Sequence, residues 1–244
     1  MIPFQTGEPM LKIGVAQANF QLADRAANLE IIHELLDEAA RSGVDVLVLP
    51  ELANSGYNFD SPAEAESVAE VADDGPVCRL LREWSAGDRL AVSGLCEQGE
   101  DALYNSAVVY AGGQLQTVYR KTHLFANEST FFRPGAEKPP VIAYRGHSFG
   151  VMICFDWFFP EVARSLALRG AQIILHPANL VLPFCQKAMI TRSIENRIFT
   201  ATANRIGNER GLAFSGLSQV TSPRGDVLAQ AGGETSGVVW AEVD

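Results

Sequence analysis

The 244-residue chain is 47% apolar and 20% charged, enough to bury a substantial core and unlike a disordered or fibrous composition. Acidic residues outnumber basic ones, 29 to 19, and the net charge of −10 argues against a nucleic-acid backbone or an anionic membrane as partner. Cys78, Cys96, Cys154 and Cys185 form no CxxC pair and no cysteine–histidine spacing that suits zinc. A reduced, cytoplasmic protein without metal is therefore expected.

The opening MIPFQTGEPMLKIGVAQAN has no basic segment followed by a long apolar run, so it does not read as a secretory signal. No apolar stretch approaches the length of a membrane span. Leu11 to Asn19 reads as a buried strand. Ala23 to Ser42 reads as a helix, with Leu29, Ile32, Leu36 and Ala39 on one face and Gly43 as its stop. A second strand covers Asp45 to Leu49, and Leu80, Leu81 and Trp84 predict a helix over Cys78 to Ser85.

Leu90 to Cys96, Asn105 to Ala111 and Gln114 to Arg120 read as strands, the last two joined at Gly112-Gly113. Thr122 to Pro140 reads as a long loop, a length often tied to function. Strands are expected at Val141 to Tyr144, Phe149 to Ile153, Ala171 to His176 and Thr200 to Arg205. Helices are expected from just after Cys154 to Gly170 and from Cys185 to Phe199. Turns at Ser222 to Gly225 and Gly232-Gly233 punctuate a strand-rich remainder. With no repeat or linker in view, residues 1–244 read as one α/β domain.

Three strand ends carry chemistry. Val46-Leu47-Val48-Leu49-Pro50-Glu51 delivers a carboxylate from a strand buried on both faces, which is costly unless the group is paired or used. Val118 to Phe125 delivers Lys121, a fixed positive charge. Val151 to Glu161 places Cys154 at the mouth of a helix-like segment, where free N–H groups favour a thiolate and a lowered pKa. Taken singly, the cysteine also reads as packing, the glutamate as a helix cap and the lysine as a solvated charge.

Together the three segments resemble the nitrilase superfamily, the carbon–nitrogen hydrolases. The PE at Glu51, YRKTHLF around Lys121 and CFDWFFPEVAR from Cys154 stand in that family's order. LYNSAVVY, with Asn105-Ser106, HPANL from His176, and Arg192, Glu195 and Asn196 match as well. The resemblance covers nearly the whole chain and implies a four-layer α-β-β-α sandwich, paired through helices into a homodimer. Many such relatives continue into a tail that joins the partner; this sequence stops at Asp244.

The resemblance implies a catalytic set of Glu51 as proton carrier, Lys121 beside the developing oxyanion and Cys154 as nucleophile. The backbone N–H of Phe155 is the natural second oxyanion donor. Glu128 matches a second glutamate found in many relatives and would orient Lys121 or a water. Tyr57, Trp157, Asn179 and Phe184 are candidates for lining the substrate pocket, with core packing as their other reading. Asp156, Glu161 and Arg164 read as structural pairs, and His123, His147 and His176 as structural. Neither metal nor cofactor is implied.

The expected reaction is hydrolysis of a small carboxamide through a cysteine thioester, without nucleic-acid or membrane partners. Phe155-Asp156 replaces the Trp-Glu pair common after the cysteine of true nitrilases, which favours an amide over a nitrile. An N-carbamoyl amide hydrolase is a further alternative. Outside enzymology, a catalytically silent interaction protein on the same scaffold is an alternative, as is a redox sensor, for which no resolving cysteine stands out.

Overall fold

The computed structural model describes residues 10–243. The opening segment read above for a leader begins outside the described residues, as does Asp244. Among the described residues, five helices and two six-stranded sheets make up the frame. The first half of the chain runs β1 (Leu11–Gln17), α1 (Arg25–Arg41), β2 (Val46–Val48), α2 (Pro62–Val68), α3 (Pro76–Trp84), β3 (Leu90–Gln98), β4 (Leu103–Ala111) and β5 (Gln114–Arg120). The second half runs β6 (Val141–Tyr144), β7 (His147–Val151), α4 (Pro160–Leu168), β8 (Ile173–Pro177), α5 (Cys185–Asn196) and β9 (Phe199–Ala203). It closes with β10 (Asn208–Glu209), β11 (Leu212–Ala213), β12 (Gln219–Thr221), β13 (Val227–Gln230) and β14 (Gly237–Val243).

One sheet has the order β14-β1-β2-β3-β4-β5 and the other β13-β12-β9-β8-β7-β6; β10 and β11 form a separate ribbon. Parallel strands occupy the centre of each sheet, β1-β2-β3 in one and β7-β8-β9 in the other. Alternation along each strand divides the apolar side chains between two faces. Ile13, Val15, Val46, Val48 and Val92 meet Val151, Leu175 and Ala201 between the sheets. The intervening Ala16, Leu47 and Ala91 face outward onto Ile32, Leu36, Leu81 and Trp84 of α1 and α3. Val162, Leu166 and Met189 of α4 and α5 cover the second sheet. The result is the four-layer α-β-β-α sandwich.

The helix boundaries follow local chemistry. Asp24 caps α1, accepting from Ala27 N at 3.0 Å, and Ser61 caps α2 ahead of Pro62. The sequence reading missed α2, which is only seven residues long. It also joined two elements that are separate. Residues Cys154–Phe158 form a 3-10 turn, and α4 starts afresh at Pro160. Proline lacks an N–H and keeps the residue before it out of the α region, so one helix cannot run through Phe159. Arg197, in the left-handed region at φ 56°, ends α5 before Phe199 begins β9; the expected helix overran this point. The long loop after β5 contains a 3-10 turn at Ala126–Thr130, which carries Glu128.

Candidate active site

Glu51 follows β2, Cys154 follows β7 and Asn179 follows β8, so the candidate residues gather beyond the carboxyl ends of parallel strands from both sheets. Lys121 comes one residue after β5. Its N–H donates to Asn105 O on β4 at 2.8 Å, and its carbonyl accepts from Gly135 N at 2.9 Å.

Glu51 is held from both sides of its backbone. Leu49 N and Gly94 N extend the ladder with β3, at 2.8 Å to Val92 O and 3.0 Å to Pro50 O. Leu52 then turns the chain with φ 49°. Gly94 makes this close approach feasible, because a Cβ there would lie 2.3 Å from Glu51 Cα.

The fully buried Lys121 ammonium donates to Glu51 Oε1 at 2.7 Å, Glu128 Oε1 at 2.8 Å and Glu128 Oε2 at 2.9 Å. Asn105 Nδ2 donates to Glu51 Oε1 at 2.7 Å, and Tyr57 OH to Glu128 Oε1 at 2.8 Å. Three of the four oxygens of the two carboxylates are thereby engaged. Glu51 Oε2 is buried and has no hydrogen-bond partner among the described residues. Burial lifts the Glu51 pKa above the ordinary carboxylate value, with Glu128 adding to the rise and Lys121 opposing it. Burial works against the charge of Lys121, but Glu128 and Glu51 outweigh it and hold the ammonium protonated.

Cys154 sits at φ 36°, a left-handed conformation that costs a non-glycine residue strain. Its Sγ approaches Asn179 O at 3.8 Å. Asp156, fully buried, braces the turn from within: its Oδ2 accepts Ile153 N at 2.9 Å and Tyr119 OH at 2.9 Å, while His123 Nδ1 meets Oδ1 at 2.7 Å. His176 braces it from below, 3.0 Å from Cys154 O through Nε2 and 3.1 Å from Thr202 Oγ1 through Nδ1. The Phe155 N–H precedes the first donor that the turn satisfies, Asp156 N to Ile153 O at 3.0 Å.

The thiol departs from the sequence expectation. Burial, with Glu51 adding to it, pushes the Cys154 pKa well above the usual thiol value, against the pull of Lys121. The segment at its back is a five-residue 3-10 turn, so helix-end polarity is weak while desolvation is complete. Burial thus favours the protonated thiol over the thiolate.

Beside Sγ lies a cavity of about 20 Å³, lined by Phe125, Cys154, Phe155, Trp157, Asn179, Leu180, Val181 and Leu182. Trp157 and Asn179 are thus among the residues lining the space beside Sγ. Asn179 Nδ2 donates to Glu51 O at 2.9 Å, and its buried Oδ1 has no partner among the described residues. Tyr57 is set behind the lining and engages Glu128. Phe184 is 58% exposed at the start of α5 and is not among the lining residues. Its backbone initiates the helix, which leaves the ring pointing away from the core.

Arg120 pairs with Glu97 and stacks over Tyr104, and Arg133 pairs with Asp101, so neither joins the lining. Among the described residues no three His, Cys, Asp or Glu side chains converge as a metal would require. No described helix is long and apolar enough to cross a membrane. Asn105 and His176 carry more of the site than their sequence reading assigned. The polar Asn105 inside the apolar strand LYNSAVVY was the available signal.

The carbon–nitrogen hydrolase family model matches residues 12–244. The chain belongs to that family. It is 42% identical to a nitrilase of Pyrococcus abyssi, across 96% of this chain and 90% of that protein. It is 32% identical to an (R)-stereoselective amidase of a Pseudomonas species, across 96% and 86%. A Nesterenkonia amidase solved in complex with butyramide superposes with a TM-score of 0.84 at 28% identity, covering 96% of this chain and 90% of that one. Amidase-like carbon–nitrogen hydrolases are thus its relatives in both sequence and fold.

Proposed function

We propose that this hydrolase cleaves the C–N bond of small, mainly neutral carboxamides through a thioester on Cys154. The observation that carries the reading is the buried Glu51–Lys121–Glu128 cluster with Glu51 Oε2 left unengaged. Glu51 takes the thiol proton as Sγ attacks the carbonyl carbon. Lys121 and the Phe155 N–H stabilise the resulting oxyanion, each such donor being worth about 2.7–4 kcal/mol. Collapse expels ammonia, which receives the proton from Glu51. Glu51 then deprotonates water, which attacks the thioester and releases the acid; the proton returns to sulfur. Glu128 orients Lys121 throughout.

An amide is favoured over a nitrile because the site holds two buried acceptors without partners, Glu51 Oε2 and Asn179 Oδ1. A carboxamide brings two N–H donors and a nitrile none. The lining has no Lys or Arg, which favours a neutral acyl group. The Pyrococcus abyssi nitrilase keeps nitriles as the second reading, and ureido compounds are the third. The covalent acetamide adduct formed by fluoroacetamide on the active-site cysteine of a Glu-to-Gln variant of the Nesterenkonia amidase supports a nucleophilic role for Cys154. The reading extends to one domain in a reduced cytoplasm, where the four free cysteines stay thiols. It also extends to a homodimer that covers the exposed Phe158, Leu168 and Ile194.

Ammonia release from amide, nitrile and ureido compounds sharing one acyl group decides among the three. Amides should give the highest kcat/KM, Cys154→Ala none, and a slow substrate should leave its acyl mass on Cys154. Glu51→Gln and Lys121→Met should each lose at least ~100-fold. The pair together should lose far less than the product, since they act as one unit. A fully active Cys154→Ala, or a label on Cys96 or Cys185, would reject the assignment.

A further inference from the structure

The segment from Leu52 to Asn58 carries Tyr57, and its near end is held by Ala53 N, which donates to Gly94 O at 3.3 Å, and by Asn54 Oδ1, which accepts Cys96 N at 2.8 Å. Ser55 O accepts Ala23 N at 2.8 Å, and Gly56 has φ 78°. What grips the Tyr57 end comes from far along the chain. Glu209 Oε2 accepts both Tyr57 N at 3.0 Å and Asn58 N at 2.8 Å, and Glu209 O accepts Asn58 Nδ2 at 3.1 Å. Gly56 packs so closely that a Cβ would lie 2.7 Å from Glu209 Oε1. That same Oε1 takes Arg205 Nη1.

Arg205 is completely buried. Its other guanidinium nitrogen, Nη2, donates to Phe20 O, and its plane lies 4.2 Å over the ring of Phe214. Phe214 in turn meets the Tyr57 ring edge-on at 6.1 Å. A buried ion pair is a weak source of stability, because desolvation offsets the attraction. Its directional hydrogen bonds are another matter. They tie the end of β9 to the loop beyond β2, bridging the two sheets where the candidate site lies.

We propose that Arg205 and Glu209 are positioning residues that hold Tyr57 so that its hydroxyl donates to Glu128 and orients the Glu128–Lys121–Glu51 cluster. This rests on the amide-hydrolase reading above. Neither residue touches substrate; both act through Tyr57.

The chemistry of Glu209 supplies the test. A carboxylate offers an acceptor on each side. Glu209→Gln has only one oxygen, and the permanently charged Arg205 claims it. The amide NH2 then faces the N–H groups of Tyr57 and Asn58, donor against donor, and the loop is released. Replacing Arg205 as well lets the amide turn its oxygen to the loop.

Steady-state kinetics on the best amide should show kcat falling about tenfold or more in Glu209→Gln with KM near wild type, the scale of a lost hydrogen bond to a charged group. The acid limb of kcat should move in the same direction as in Tyr57→Phe. Glu209→Gln with Tyr57→Phe should lose no more than the worse single variant. Adding Arg205→Met to Glu209→Gln should restore part of kcat. Should Glu209→Gln not fold, Glu209→Asp keeps the charge on Arg205 but draws back from the two amides, and the same signature is expected. Wild-type kcat and pH profile in the folded variant, a loss confined to KM, or losses that multiply with Tyr57→Phe would overturn the proposal. In any of those cases an active wild type, dead as Cys154→Ala, leaves the amide-hydrolase reading standing. A wild type that releases no ammonia from any amide removes that reading and this proposal with it.

Discussion

Asn105 Nδ2 donates to Glu51 Oε1 at 2.7 Å, on the same oxygen that Lys121 takes. The two donors divide the carboxylate into an anchored oxygen and a free one. Oε1 is locked to β4 and to the residue after β5, and Oε2, without a partner among the described residues, is the atom that exchanges a proton on the proposed mechanism.

This division has a pH signature. Activity on the proposed mechanism needs Glu51 ionised, and burial raises its pKa above the ordinary 4.5. The acid limb of kcat/KM should therefore lie above the usual carboxylate range. The Asn105 hydrogen bond favours the ionised form, so Asn105→Leu should carry that limb to higher pH while Lys121 and Glu128 remain in place. A limb that stays put or moves to lower pH in the variant would contradict this role for Glu51.

Gly94 has an ordinary backbone conformation, so its role is purely one of space. In Gly94→Ala the new Cβ would fall 2.3 Å from Glu51 Cα and 2.4 Å from Leu52 N. Backbone must move, and the atom that moves carries the proposed general base. Misplacement by about 1 Å can cost about 100-fold in rate. The expected result is a folded protein with kcat reduced by roughly that factor, checked by circular dichroism alongside kinetics. Wild-type kcat would mean that Glu51 tolerates the shift.

His176 links the site to stability. A carbonyl only accepts, so Nε2 is the nitrogen that donates to Cys154 O, and Nδ1 then accepts from Thr202. Full burial pulls its pKa from 6.5 to about 4. Between those values the unfolded chain binds a proton that the folded one refuses. The contribution is complete above the unfolded value and is lost as pH falls toward about 4, amounting to about 3 kcal/mol. Glu51, shifted upward, acts with the opposite sign, and comparison with a variant removes its effect. Urea unfolding at about pH 7 and about pH 4.5 should show a smaller acid loss in His176→Gln than in wild type. Equal losses would mean that His176 takes up its proton in the folded state.

Strand-end Glu51 and Cys154, Lys121 just past β5, the main helices and the α/β class were all legible in the sequence, because each is written in local periodicity and in polar residues that interrupt apolar runs. The four-layer arrangement came from the family resemblance, since periodicity shows that a face is buried but not what covers it. Only the tertiary structure decided that Glu51, Asn105, Lys121 and Glu128 share one hydrogen-bonded cluster. Their spacing of up to 77 positions carries no local pattern. It also decided the surroundings of Cys154, where the sequence suggested helix-end polarity and the fold buries the thiol, which raises its pKa. Phe184, a candidate for the pocket lining or for core packing, is exposed instead. The Arg205–Glu209 grip on Tyr57 spans more than 140 positions, and its sign and reach exist only once both sheets are closed on each other.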